Sequence, residues 1–413
     1  MDNITHSLVG LALGQAATQS RREPGRLRVP LWITSAVASN CPDLDFTYAS
    51  ITGGKLGYLL HHRGHTHTLV AALPLAALLL AFVWLWSKLR KKNLSREDWL
   101  WLAAVALLGP LVHVFLDFTN SYGVHPFWPL NNKWYFGDAI FIVEPWLWMS
   151  LLPALIMAAT SRAAKILFSA IFAIGLGLCF LTGFVPWQMA LVVAFWGFWL
   201  LGLMLKIKPR AQIWTALAAY ASVTILFFSV SSYSRAEIER TLTKYFPQSQ
   251  THSIALSPLP ANPFCWQFNA VQYDKQNLMV RRGVFAPFVH MLPVAHCPAF
   301  RAPTGTTTPI ANVDAPPRPD IKWEGQFSAP TAELTQLYDN DCGVAAIMKF
   351  VRVPFWKKTD QGVIVGDVRF DRSASIDFAE EFFSGHNTAD CPQYLPPWEP
   401  SLGHLLKTQA ASF

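Results

Sequence analysis

Residues 166–205 read ILFSAIFAIGLGLCFLTGFVPWQMALVVAFWGFWLLGLML, forty positions without a charged side chain. A helix needs about 20 largely apolar residues to cross the hydrocarbon of a bilayer, so this stretch predicts two crossings, 166–184 and 186–205, turning near residue 185. Working outward, the same criterion predicts spans at 67–87, 99–119 and 139–160 before it and at 212–232 after it. Two shorter apolar runs, Ile4–Ala17 and Val29–Cys41, suit re-entrant or half-buried helices. Composition agrees: the 413 residues are 52% hydrophobic and 14% charged, against roughly a quarter charged in an ordinary soluble domain. The expected architecture is an all-α polytopic membrane bundle, with about six full spans plus two short N-terminal membrane helices. A C-terminal extramembrane α+β domain, rich in strands, follows it. The expected divisions are 1–138 (a membrane-embedded metal-site domain), 139–232 (additional transmembrane helices) and 233–413 (an exported soluble domain).

Charge is distributed unevenly. Residues 1–232 carry 17 Lys/Arg against 9 Asp/Glu, and residues 233–413 carry 16 against 17. The basic excess lies wholly in the apolar half, which excludes a nucleic-acid-binding distribution. The basic clusters are Arg21/Arg22/Arg26/Arg28, Lys88/Arg90/Lys91/Lys92/Arg96, Arg162/Lys165 and Lys206/Lys208/Arg210, one in every second connection. Basic loops stay inside. Threading on that rule leaves residues 1–6, 42–66, 120–138 and everything after 233 outside. The expectation is a multi-pass protein of a bacterial inner membrane with a periplasmic C-terminal domain.

Cysteine usage points the same way. Cys265, Cys297, Cys342 and Cys391 all lie in the C-terminal region, and an even number in an exported domain suggests disulfides, with three pairings open. That region is expected to begin with a helix over 234–247. Strand-like runs follow at Phe264–Tyr273, Leu278–Phe285 and Gly362–Phe370, a loop at Pro303–Pro319, and a more helical stretch at Ala329–Val351.

The seven histidines of the membrane half (His6, His61, His62, His65, His67, His113, His125) all fall at the outer end of this threading. Six acids share that side: Asp2, Asp43, Asp45, Asp117, Asp138 and Glu144. Glu23, Glu97 and Asp98 stay inside. Ionisable groups at membrane depth are costly and mark functional sites, and neutral imidazoles with carboxylates are the donors of divalent metal sites. His113 and Asp117 stand at i and i+4, on one helical face. Asp43 and Asp45 in Pro42-Asp43-Leu44-Asp45 diverge if the segment turns, so one is expected to ligate and the other to orient or cap. In His62-Arg63-Gly64-His65-Thr66-His67, Gly64 is expected to allow a turn, with His67 on a helix beginning near Thr66. Arg63 suits an anionic oxygen. His6 opens a Gly-x₃-Gly helix (Gly10, Gly14) able to pack closely on a neighbour.

Thr5-His6-Ser7, Asn40-Cys41-Pro42-Asp43-Leu44-Asp45, His62-Arg63-Gly64-x-Thr66-His67 and His113-x₃-Asp117 together resemble the predicted membrane-bound metal-dependent hydrolases of bacterial and archaeal inner membranes. Asn262-Pro263-Phe264-Cys265-Trp266 and Gly366-Asp367-Val368-Arg369-Phe370 resemble that family's longer members. The ligand order is also similar to that of zinc-dependent phospholipase C and single-strand nucleases. That resemblance implies His6, Asp45, His67, His113 and Asp117 as metal ligands, with His62 a further one. The chain departs from it in having five residues before the first histidine and no later His-x₃-Glu pair, which points to one or two zinc ions.

These readings imply hydrolysis of a lipid or lipid-linked phosphoester by a metal-activated water at the outer bilayer boundary. Arg63 would neutralise the phosphoryl oxygens, and Asp43 or Asp138 would orient a ligand histidine or relay a proton. Membrane lipid is the expected partner. The alternative is a non-enzymatic membrane protein in which metal joins the helix ends. A transporter fits less well, since its ionisable groups would sit at mid-bilayer, where residues 166–205 have none.

Overall fold

The apolar runs fold as helices whose ends are fixed by their polar neighbours. The computed structural model describes residues 1–21, 27–48, 51–274, 276–299, 305–384 and 391–408. Arg22, Glu23 and Arg26, which belong to the first loop's charge pattern, lie outside these residues. Helix α1 (Asn3–Ser20) is capped by the Asp2 carboxylate and packs on α2 (Arg28–Ala38). A Cβ on Gly10 would stand 2.7 Å from the Ser35 carbonyl oxygen, and one on Gly14 would stand 2.9 Å from that of Leu31. The small residues therefore set how closely the two helices approach. A 3₁₀ turn (Cys41–Tyr48) and α3 (Gly54–His61) lead to α4 (Ala72–Leu89) and α5 (Arg96–Phe118). A Ser95–Asp98 capping box starts α5, and Arg21 reaches Asp98 at 2.6 Å. Arg210 also donates to the Gln19 carbonyl. The end of α1 and the start of α5 thus meet at one end of the bundle.

Among the described residues, five helices are long and apolar enough to cross a membrane: α4, α5, α7 (Arg162–Leu181), α8 (Trp187–Met204) and α9 (Pro209–Tyr245). The expected span at 139–160 is a 14-residue helix, α6 (Pro145–Ala158). Residues 139–144 are irregular, because Glu144 turns back to cap the Trp146 amide and Pro145 begins the helix. At 1.5 Å per residue α6 is roughly 21 Å long. It lies buried against α1, α7, α8 and α9. The expected helix start near Thr66 is also displaced, to Ala72, since Thr68 Oγ1 accepts the Ala71 amide and holds 66–71 as turns. Helix α9 runs 37 residues, roughly 55 Å, and carries the chain out of the bundle.

Beyond α9 stand two antiparallel sheets. The first is a meander of β1 (Gln250–Leu259), β2 (Asn262–Tyr273), β3 (Asn277–Phe285) and β4 (Ile321–Pro330). The second is β5 (Pro354–Thr359), β6 (Gly362–Asp367) and β7 (Glu380–Phe383). Helices α10 (Thr331–Asn340) and α11 (Cys342–Ile347) connect the sheets, and α12 (Gly403–Thr408) follows. Disulfides join Cys265 to Cys297 and Cys342 to Cys391. This domain sits on the bundle end opposite Arg21 and Asp98. Leu59, Leu60, Tyr122 and Trp134 from the bundle share a core with Phe350, Phe355 and Trp398 from the domain. Trp134 Nε1 donates to the Lys349 carbonyl and Trp398 Nε1 to that of Leu60, each at 2.7 Å.

Candidate metal centre

The bundle end beneath the sheets gathers donors from four separate segments. Helical spacing in α5 brings His113 Nε2 within 3.3 Å of Asp117 Oδ2. His113 Nδ1 donates to the Ser39 carbonyl at 2.7 Å, so its Nε2 lone pair faces the cluster. His67 Nε2 lies 3.0 Å from His113 Nε2, 3.2 Å from Asp117 Oδ2 and 3.3 Å from Asp43 Oδ1. One donor atom each from Asp43, His67, His113 and Asp117 falls within a 4.8 Å group, a two-nitrogen, two-oxygen set suited to zinc. His6 stacks on His113 with ring centroids 3.7 Å apart and places Nε2 3.3 Å from Asp117 Oδ1. The Met1 amino group also contacts Asp117.

Donors are left over here. Neither ring nitrogen of buried His6, nor Asp117 Oδ2, makes a hydrogen bond among the described residues. Such orphaned groups cost about 1–3 kcal/mol each, a cost a bound cation would remove. His67 meets the carboxylates of Asp43, Asp45 and Asp117. Burial disfavours its charged form, but the pull of the Asp117, Asp43 and Asp45 carboxylates outweighs burial and pushes it up to about 10. The pocket favours positive charge at its centre, and its residues fit a divalent cation.

Asp43 and Asp45, of which one is expected to ligate and the other to orient, have different surroundings. Asp45 is spent on positioning: it accepts from His62 Nδ1 at 2.8 Å, the Arg63 amide at 3.1 Å and Thr66 Oγ1 at 2.8 Å, and it lies 3.2 Å from His67 Nδ1. Burial raises its pKa, but the His62 and His67 hydrogen bonds outweigh burial and hold the carboxyl below its ordinary range. Asp43 is the carboxylate that faces the two Nε2 atoms, steadied by Asn3 Nδ2 at 2.8 Å. The 3₁₀ turn separates the two side chains, which alternate only in extended chain. His62 groups with Asp43 and Asp45 and stacks on Tyr58, at the edge of the cluster.

Asp138 is paired with two arginines. Both its oxygens accept from Arg352 at 2.8 Å and Arg235 adds a contact at 2.6 Å, so it anchors the sheet domain. Of the remaining histidines, His61 donates to the Tyr394 carbonyl, while His65 and His125 pack on Trp398.

Arg63 adopts a left-handed backbone, φ 59°. Its Nη2 lies 3.1 Å from Asp117 Oδ1, Nη1 donates to Asn120 Oδ1 at 3.0 Å, and its guanidinium lies 4.5 Å over the Tyr122 ring. Arg63, Asn120, Tyr122 and His62 form the floor of a cavity of about 520 Å³. Ile140, Phe141 and Ile142 line its side, and Gln267, Phe370 and Arg372 from the sheet domain form its roof. Sequence reasoning missed Asn120 and Tyr122. Their one signal was position, three and five residues past Asp117, where the chain leaves α5.

Residues 1–185 match a family model described as YdjM inner membrane protein. Over 180 residues the chain is 28% identical to a Bacillus subtilis (strain 168) protein named "Uncharacterized protein YfhP", covering 43% of this chain and 52% of that one. The chain thus spans about half the length of the curated relative it matches. No solved structure matches. The family match and the five apolar helices fit a multi-pass inner-membrane protein, and the matched segment holds every residue of the cluster while ending before the sheets.

Proposed function

We propose that this chain is a membrane-bound metal-dependent hydrolase, cleaving a phosphoester of a lipid or lipid-linked molecule at the outer face of the inner membrane. The observation that carries the reading is the convergence of Asp43, His67, His113 and Asp117 beside a cavity with both polar and apolar walls. With His6 alongside, these residues would hold one or two zinc ions. Zinc in such sites supplies Lewis acidity and a water acidified to a pKa of about 7. The chain's own contribution is positioning. Asp45 fixes the His62 and His67 rings, Arg63 steadies Asp117, and Ile140, Phe141 and Ile142 offer an apolar wall to an acyl chain. The basic loops at the opposite bundle end support an outward-facing site, as do disulfides in the domain above it.

Metal analysis of detergent-purified protein, wild type against His113→Ala, together with release of phosphate or headgroup from a panel of lipid phosphoesters, tests this. The expected result is zinc and turnover in the wild type and neither in the variant. Equal metal in both would overturn it. Tightly held zinc without turnover would favour the second reading, a structural ion. That reading has support in the four separate segments such an ion would join.

A further inference from the structure

The cavity floor holds polar donor atoms that the metal cluster leaves unengaged. Arg63, Asn120 and Tyr122 are 3%, 4% and 7% exposed, and they interlock. Asn120 Oδ1 accepts from Arg63 Nη1 at 3.0 Å and from the Tyr122 amide at 2.9 Å, and the Arg63 guanidinium covers the Tyr122 ring. Yet each keeps one donor without a partner among the described residues: Arg63 Nε, Asn120 Nδ2 and Tyr122 Oη. Two are N–H donors only, and the third is a hydroxyl that can donate. All three residues line the same cavity, and Arg63 reaches Asp117 of the metal cluster at 3.1 Å.

Three unfilled donors, one on a guanidinium, are matched by a ligand rich in acceptors. A carbonyl or hydroxyl has too few lone pairs to serve all three, whereas a tetrahedral oxyanion offers several charged oxygens and forms the stronger, charge-assisted bonds. Arg372 on the roof brings positive charge to the same cavity, beside the carboxylate of Asp377. We infer that Arg63 Nε, Asn120 Nδ2 and Tyr122 Oη form a cradle for a phosphate-type oxyanion, the anionic group of the substrate. The inference rests on the proposed hydrolase reading for the word substrate alone; the cradle itself is a binding site.

Two substitutions test it with little disturbance. Tyr122→Phe removes only the hydroxyl. Asn120→Asp keeps the oxygen that holds Arg63 Nη1 and the Tyr122 amide while replacing the Nδ2 donor by an acceptor. Inorganic phosphate is titrated calorimetrically into full-length, zinc-treated protein in detergent, with dihexanoyl phosphatidate in a second arm. Each variant is expected to bind phosphate about tenfold or more weakly, the effect of losing one hydrogen bond to a charged group, with metal content unchanged. Tighter binding of phosphatidate than of phosphate assigns the oxyanion to a lipid ester, and the reverse order assigns it to the free ion. Wild-type protein that binds no phosphate, or variants that bind it unaltered, would overturn the cradle. Loss of metal in Tyr122→Phe would overturn it too, by making the residue structural. Wild-type protein that binds phosphate but cleaves no phosphoester would retain the cradle and remove the hydrolase.

Discussion

Among the described residues, acidic and imidazole groups gather within metal-binding distance under the sheets, as Asp43/His67/His113/Asp117 and the adjoining Asp43/Asp45/His62, and within the sheets, as Asp371/Asp377/Glu380. Distance alone does not separate them; hydrogen bonding does. In the sheet domain Asp371 accepts from the Thr307 and Thr308 amides, the Thr308 hydroxyl and Arg282. Asp377 accepts from the Arg372 and Ser373 amides and the Ser373 hydroxyl. Those two carboxylates tie loops together, and in this trio one oxygen, Glu380 Oε1, lacks a partner among the described residues. Under the sheets, the Ser39 carbonyl and Asp45 take the Nδ1 sides of His113 and His67, and Asp117 Oδ2 and both His6 nitrogens keep no hydrogen-bond partner among the described residues. A cluster becomes a candidate metal site when its lone pairs remain after the fold has taken its share.

The largest expected effect puts that distinction at risk. Asp117→Ala should lower both bound zinc and phosphoester turnover by at least about 100-fold, while Asp377→Asn should leave metal content unchanged; parallel metal analysis of the two variants decides. Next, Asp371→Ala strands the buried Arg282 charge and should cost the sheet domain about 3–5 kcal/mol, read from denaturant unfolding, with zinc retained. If that variant lost zinc as readily as Asp117→Ala, the contrast would collapse.

Smaller effects sharpen the same line. Asp45→Asn keeps the acceptor geometry but weakens the hold on His62 and His67, so zinc affinity should fall about 10–100-fold rather than vanish, measurable by competition with a chelator. Glu380 gives a pH signature that belongs to the other cluster. Burial raises its pKa, the Asp377 amide partly opposes this, and the Asp371 charge adds to the rise, placing it at about 7 against an ordinary 4.5. The folded state therefore binds a proton between pH 4.5 and 7 that the unfolded chain has released. Stability contributed by this group falls as pH rises through that window and levels off above it. Glu380→Gln should flatten that slope in thermal unfolding from pH 4.5 to 8, with no change in zinc. His61→Ala, whose ring bonds the Tyr394 carbonyl, should change neither.

Long uncharged runs such as Ile166–Leu205 were legible because one physical demand, burial in hydrocarbon, acts on every residue in them. The helix within 139–160 is shorter than the apolar run because Pro145 begins it and Ile140 and Ile142 are apolar to line a cavity. His113 and Asp117 were legible because helical geometry fixes their relation locally. The choice between Asp43 and Asp45 was not, since it depends on which oxygen Thr66 and the Arg63 amide reach from another segment. Strands β2 and β3 declared themselves, whereas the cavity depends on how residues near 120, 140, 260 and 370 meet, a relation no local pattern encodes.

The Asp138 anchor has a consequence for biogenesis. Its first cationic partner, Arg235, is synthesised 97 residues later and its second, Arg352, 214 residues later. At roughly 5–20 residues per second, the ribosome needs about 10–40 s to supply the second after making Asp138. Through that interval the helices can insert while the carboxylate at their end waits, hydrated, for a domain still to be made. Membrane integration and completion of the cavity are thus separate events in time, and the roof is added last.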